Sequence, residues 1–267
     1  MSNGNARDGA ASRPSTIALL HLAPRPGAIE SNRRDIERAA RKAARAGARL
    51  VVTPELALSG YGFRDTVGTD WIALQAPEHE GWAAALAREI AASVVVGMPE
   101  AGEDGLLFNT MTLFDATGRL AGRHRKINAL RAGSESWSTG GDRPTVLKIG
   151  GIGRVGMAIC ADMYSERLAR ETAALGCDII LSSAAWADGH HGPAGEWERA
   201  SRETGLPVLV CNRTGVDVLD FAPARTVAAV GGTIAFSHCS PQPAMVLVDW
   251  TSARRELDNW RVESLVA

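Results

Sequence analysis

No apolar run in this sequence approaches the roughly 18 residues that a membrane-spanning helix needs, so no bilayer-spanning segment and no membrane partner is expected. The opening stretch MSNGNARDGAASRPS has neither the apolar centre nor the small-residue cleavage site of a secretory leader, and it predicts a soluble, cytoplasmic protein. Cysteine is scarce. Cys160, Cys177, Cys211 and Cys239 form no CxxC pair, which argues against a zinc ribbon or a disulfide framework and predicts free thiols in a reducing compartment. Neither sign of charge is in excess: 29 basic and 30 acidic residues give a net charge of -1. No global field draws in a polyanion, so a nucleic-acid partner is not expected. A repeat of fixed period and a compositional linker are also missing.

What is present is the composition of a globular chain, 45% hydrophobic and 22% charged over 267 residues. That length allows one large domain or two small ones with a sizeable core. Residues 1 to about 13 have no apolar periodicity and are expected to form a disordered tail ahead of a single domain over residues 14–267. From Thr16 the pattern alternates. TIALLHL reads as a strand, residues 29–46 as a helix, RLVVTPEL as a strand, residues 81–92 as a helix and SVVVGMP as a strand. The stretches LLFNTMTLFDATGRLAG and TVLKIGGIGRVGMAIC are apolar runs joined by turn-forming residues, and predict adjacent strands. Alternation then resumes with a helix over 167–175, the strand CDIILSSAAW, a helix over 196–204 and the strand LPVLVCNRTG. A last pair of strands, near Val227–Phe236 and Ala244–Trp250, closes the chain. The rhythm predicts an α/β domain whose helices cover mixed sheets.

The first helix carries Arg34, Arg38, Arg41 and Arg45 along one face, a basic stripe for which a nucleic-acid reading is available. Ile36, Ala39, Ala40 and Ala43 form the opposite face, so the stripe is read as the solvated side of an amphipathic helix.

Three apolar segments end in a reactive side chain: Glu55 in RLVVTPEL, Lys126 in GRHRKIN and Cys160 in GRVGMAIC. Strand ends are where loops of α/β proteins converge on ligands. A cysteine thiolate is a strong nucleophile, but it needs a base to take its proton and a cation to hold the oxyanion its attack creates. Glutamate and lysine fill those roles. A buried carboxylate is a better base near neutrality, and a nearby ammonium is expected to favour the thiolate. Each residue has a plainer reading, the cysteine as a small buried hydrophobe and the other two as solvated surface groups.

TPELALSGY, HRKIN and GMAICAD, followed in order by SSAAW and CNRTG, resemble the motifs of the nitrilase superfamily, the carbon-nitrogen hydrolases, from about Thr16 to Asp249. The resemblance implies a four-layer α-β-β-α sandwich, assembly as a homodimer or larger homo-oligomer, and no metal or organic cofactor. It further implies that Cys160 attacks the carbonyl, Glu55 acts as general base, and Lys126 stabilises the oxyanion with the backbone N–H of Ala161. A second glutamate, Glu135 in AGSESWSTGG, falls where many members carry one to position substrate or assist the base. Ala185 and Trp186 of SSAAW match positions that line the acyl pocket, although Trp186 also reads as a core aromatic. Tyr61 is a further pocket candidate.

Departures from the pattern bear on the substrate. Cys160-Ala161-Asp162 is closer to the amidase and carbamoylase branches than to the nitrile-cleaving branch, which typically has Trp and Glu after its cysteine. Tyr164-Ser165-Glu166 replaces Phe-Pro-Glu, and FAPARTV replaces the usual Gly and Ser, which implies an unusual pocket rim. The expected activity is hydrolysis of a small non-peptide amide with release of ammonia or an amine. An N-carbamoyl amidohydrolase, a soluble acyltransferase and a non-catalytic binding module are the alternatives. His190 and His191 lack further ligands at metal-binding spacing and read as exposed loop histidines, or else as contacts for a substrate carboxylate.

Overall fold

A computed structural model describes residues 14–131, 133–189 and 192–266. The expected tail, residues 1–13, lies outside them. In chain order the elements are β1 (Ser15–His21), α1 (Ile29–Arg45), β2 (Ala48–Val52), α2 (Arg64–Val67), α3 (Trp71–Ile90), β3 (Ser93–Ala101), β4 (Leu107–Phe114) and β5 (Leu120–Arg125). There follow β6 (Thr145–Ile149), β7 (Gly153–Ile159), α4 (Glu166–Ala174), β8 (Ile179–Ala184), α5 (Glu196–Thr204) and β9 (Val208–Asn212). The chain ends with β10 (Arg225–Val230), β11 (Thr233–Cys239), β12 (Ala244–Thr251) and β13 (Glu256–Ser264).

Among the described residues the strands form two mixed sheets, one ordered β13-β12-β1-β2-β3-β4-β5 and the other β11-β10-β9-β8-β7-β6. Strand residues point alternately to opposite faces, and here both faces are apolar. Ile17, Leu19, Leu50, Val52, Val246 and Val248 of the first sheet pack into the core between the sheets. Their neighbours Ala18, Leu20, Val51, Met245 and Leu247 pack outward against Ile36, Ala39 and Ala43 of α1 and Trp82, Ala83 and Leu86 of α3. On the far side, Ala169 of α4 and Trp197 and Ala200 of α5 join the core of the second sheet. The result is the four-layer α-β-β-α sandwich, and burial on both faces explains why RLVV reads as a continuous apolar run. Cys211 sits in the seam, where its thiol donates to the carbonyls of Leu20 (3.4 Å) and Val52 (3.3 Å). All four cysteines are free thiols, and only Cys239 is exposed.

The basic stripe of α1 is a solvated face: Arg38 pairs with Asp35, and Arg41 pairs with Glu37 and Glu89. Three details differ from the sequence reading. Helix α3 begins at Trp71, ten residues earlier than the pattern around Gly81 indicates, and runs through Pro77. Packing of Ile72, Trp82 and Leu86 holds the helix across a residue that disfavours it. The stretch Val227–Phe236, a single strand by its apolar pattern, is a hairpin, β10 and β11, reversing at Gly231 and Gly232 with φ of 59° and 85°. That left-handed backbone suits a two-residue turn and glycine alone adopts it cheaply. Strand β12 does not pair with that hairpin; it crosses to the first sheet, between β1 and β13, a strand the pattern did not reveal. The two central hairpins, β4–β5 and β6–β7, form as expected, but they belong to different sheets.

Candidate active site

Glu55 lies just beyond β2, Lys126 directly after β5, Cys160 directly after β7 and Ala185 directly after β8. The first two come from one sheet and the last two from the other, so the site is built across the seam of the sandwich. Glu135 enters from a short 3-10 turn, Gly133–Glu135, in the connection between β5 and β6.

These side chains form one buried cluster. Lys126 Nζ donates to Oε1 of Glu55 and to Oε2 of Glu135, each at 2.7 Å, and all three side chains have zero exposure. Asn109 of β4 donates through Nδ2 to Glu55 Oε1 at 2.7 Å and to Glu135 Oε1 at 2.9 Å. The remaining oxygen of Glu55, Oε2, accepts the backbone N–H of Ala185 at 2.8 Å. The Cys160 thiol lies within the field of Glu55, Lys126 and Glu135 and is also influenced by the Ala185 backbone, so the sulfur belongs to the same cluster. Asn109 was not singled out in the sequence; its signal was a lone polar amide inside the apolar strand LLFNTMTLF.

Backbone geometry marks the nucleophile candidate. Cys160 has φ of 43°, and Leu56, next to Glu55, has φ of 50°. Left-handed backbone costs a non-glycine residue roughly 1–2 kcal/mol. Cys160 opens a 3-10 turn, Cys160–Tyr164, that bends the chain sharply away from β7 and leaves the sulfur at the strand end.

The electrostatics bear out the direction of one expectation, since Lys126 favours the thiolate, and show that larger influences oppose it. Burial pushes the Cys160 thiol well above its ordinary range, and Glu55 adds to this more than Lys126 opposes it. The ammonium therefore does not by itself create a thiolate: two carboxylates flank it, and the cluster is net negative. Burial favours the neutral amine of Lys126, but the charge of Glu55, supported by that of Glu135, opposes it and the ammonium is held well above its usual value. Burial also raises Glu135, against the pull of Lys126. The arrangement favours the protonated thiol and sets a carboxylate within the same buried cluster.

Around this cluster the walls are aromatic. Tyr61 lies within the field of Glu55, Lys126, Glu135 and Cys160, and burial raises its hydroxyl. Its ring meets Phe221 edge-on at 6.1 Å, and Tyr61, Ala185, Phe221 and Ala224 pack as one apolar group. Trp186 is buried and edge-on to both Trp197 (5.5 Å) and Tyr164 (4.8 Å), so it joins the core while adjoining Ala185. Both departures from the family pattern, at Tyr164 and at Phe221, thus place rings next to the site. Ala161 is buried beside Cys160, and its carbonyl accepts from Asn128 Nδ2 at 2.7 Å. Asn212 fixes the Trp186 backbone from both sides, accepting its N–H at 3.0 Å and donating to its carbonyl at 2.9 Å. His190 and His191 lie outside the described residues. Among those described, no group of three or more His, Cys, Asp or Glu is arranged to hold a metal ion, and no helix is long and apolar enough to cross a membrane.

Residues 16–239 match the family model described as carbon-nitrogen hydrolase. A protein of Pseudomonas protegens named Hydrolase in pqqF 5'region is 29% identical over 170 residues, covering 62% of this chain and 57% of that protein. A protein of Pyrococcus abyssi named Nitrilase is 29% identical over 170 residues, covering 63% and 64%. Deaminated glutathione amidase of Synechocystis is 27% identical over 187 residues, covering 65% and 67%. The matches to the first two thus span less than two thirds of those relatives' own length. In fold, the chain is similar to an amidase of Nesterenkonia, with a TM-score of 0.77 at 22% identity over 90% of this chain and 92% of that one. A second structure, an amidase from the AN1 strain, gives 0.80 at 24% identity, covering 90% and 94%.

Proposed function

The chain belongs to the carbon-nitrogen hydrolase family, and from that premise we propose that it hydrolyses the C–N bond of a small non-peptide amide through a Cys160 thioester. The observation that carries this reading is the buried cluster itself, in which Glu55, Lys126 and Glu135 are joined within 2.7 Å contacts and the Cys160 thiol lies within the field of all three. Three ionisable groups without solvent are costly to hold unless paired and used.

In the proposed reaction Cys160 Sγ attacks the carbonyl carbon while Glu55 takes the thiol proton. Lys126 and the Ala161 N–H stabilise the oxyanion. Collapse breaks the C–N bond, and Glu55 returns the proton to the departing ammonia or amine. Water then attacks the thioester, Glu55 removes its proton, and the acid leaves as the thiol is restored. Glu135 and Asn109 keep Lys126 and Glu55 in register. Ala161-Asp162 after the cysteine supports amides over nitriles, and Tyr61, Ala185, Trp186 and Phe221 supply an apolar acyl pocket. The reading includes assembly of copies of this chain into a dimer or larger homo-oligomer, which light scattering on the purified protein tests.

The central test is ammonia release from a panel of small amides, N-carbamoyl compounds and nitriles, with wild type beside Cys160→Ala. Release that disappears in the variant, with an acyl adduct on wild type by intact mass, is the expected result. Turnover by Cys160→Ala at the wild-type rate would overturn it, and carbon dioxide formed along with ammonia would assign the carbamoyl branch.

A further inference from the structure

Lys126 and Cys160 follow strands β5 and β7, which lie in different sheets and share no ladder. Something other than β pairing must fix the ammonium relative to the sulfur. Asp162, two residues beyond Cys160, supplies the link. Its Oδ1 accepts the backbone N–H groups of Ile127 (2.9 Å) and Asn128 (2.8 Å), the two residues that follow Lys126. Its Oδ2 accepts the backbone N–H of Ile159 (2.9 Å), just before Cys160, and faces His124 Nε2 at 2.9 Å, on the strand that ends beside Lys126. The Asp162 carboxylate is buried, with 4% side-chain exposure, and each of its oxygens has two partners. A carboxylate accepting several N–H groups is strongly held in place.

We propose that Asp162 is a positioning residue that clamps the Lys126 loop to the Cys160 turn across the seam between the sheets, and that His124 braces the clamp. This rests on the thiol mechanism proposed above. The bond from Asp162 Oδ2 back to the Ile159 N–H closes the turn in which Cys160 takes its left-handed φ of 43°, so the same carboxylate sets both the strained turn and its distance from Lys126. Asn128 Nδ2 adds a second tie to the carbonyl of Ala161 at 2.7 Å. His124 reaches the second sheet directly as well, through Nδ1 and Thr145 Oγ1 at 3.2 Å. A small cavity of about 10 Å³ lined by His124, Ile127, Asp162 and Met163 among others has room for about one water, so solvent has little space in which to replace lost bonds. The sequence and its family resemblance bring Lys126 and Cys160 to one site, but nothing in ICAD and HRKIN marks Asp162 as the tie between the two segments.

The test compares wild type, Asp162→Asn, His124→Gln and His124→Phe in the intact protein. It reads kcat and KM on the amide that wild type turns over, and the pH profile of Cys160 alkylation by iodoacetamide, which needs no substrate. Asp162→Asn turns an amino group toward one pair of N–H donors; we expect kcat to fall at least tenfold with KM within threefold, and the alkylation profile to move to higher pH as Lys126 loses its place. His124→Gln keeps an N–H donor and is expected to retain at least a third of wild-type kcat, whereas His124→Phe falls at least tenfold. A purely structural Asp162 would lower thermal stability and leave kcat and the alkylation profile unchanged in the folded variant, which overturns the proposal. If Asp162→Asn does not fold, equal kcat for the two His124 variants overturns it instead. Failure of the thiol mechanism would show separately, as wild-type turnover by Cys160→Ala, and would remove the clamp's purpose with it.

Discussion

Asn109 Nδ2 stands 2.7 Å from Glu55 Oε1 and points its second hydrogen at Glu135, so one side-chain nitrogen spans two buried carboxylates. An amide there accepts no proton and adds no charge, while it fixes the rotamers of both acids against Lys126. Asn109→Leu removes both bonds with little change in volume. A charge-assisted hydrogen bond contributes about 1.5–3 kcal/mol, and we expect kcat to fall about 10- to 100-fold with the fold retained, as measured by steady-state kinetics beside circular dichroism.

Lys126 is the single cation in the cluster. Removing one partner from a buried ion pair costs about 3–5 kcal/mol, because the other charge stays behind. Lys126→Met leaves Glu55 and Glu135 facing each other without a counter-charge, so urea unfolding at pH 8 should show a loss of about that size. Glu135 is already raised by burial and rises further in the variant. A carboxylate whose folded value lies above its unfolded one gives back stability as pH drops, so the deficit of Lys126→Met against wild type should shrink toward pH 5.

The thiol and its base should respond in opposite senses to one substitution. Burial, then the Glu55 charge, pushes Cys160 up. Glu55→Gln removes that charge, and the pH midpoint of iodoacetamide alkylation should move down toward the ordinary thiol range. The same variant loses the proposed general base, and turnover should fall about 10²- to 10⁴-fold. An alkylation midpoint that rises in Glu55→Gln would contradict the assigned geometry.

Phe221, the first residue of FAPARTV, faces Tyr61 at 6.1 Å. One methylene of pocket space is worth about 1–3 kcal/mol in discrimination. Phe221→Ala should therefore shift kcat/KM from short acyl groups toward longer ones by about tenfold or more, measured on a homologous amide series.

His21 lies behind the site, with Nδ1 at 2.9 Å from the Asn212 carbonyl and Nε2 at 3.2 Å from that of Ser240. Burial and the nearby His238 lower it to about 4. Well above pH 6.5 the ring is neutral in folded and unfolded chains alike, and it adds no pH dependence to stability. As pH falls from 6.5 to about 4 only the unfolded chain gains the proton, and stability drains at up to about 1.4 kcal/mol per pH unit. Unfolding free energies across this window should fall more steeply for wild type than for His21→Gln.

The sequence alone determined the alternation of strands and helices, the face of α1 that meets the core, and the identities of Glu55, Lys126 and Cys160 as strand-end groups. Apolar periodicity is a local property, and each reactive residue interrupts or ends a run that can be read in a window of a dozen letters. Ala185, Tyr61 and Glu135 were reached only through the family resemblance, because a glutamate in a Ser and Gly loop carries no local mark. Tertiary structure decided the rest. Whether two neighbouring hairpins share a sheet, where β12 crosses over, and that Asp162 accepts from both the Lys126 loop and the Cys160 turn all depend on contacts between residues far apart in the chain. The direction in which the thiol is shifted was decided there too: how burial and two carboxylates outweigh one ammonium depends on distance and exclusion of water, which only the folded sandwich sets.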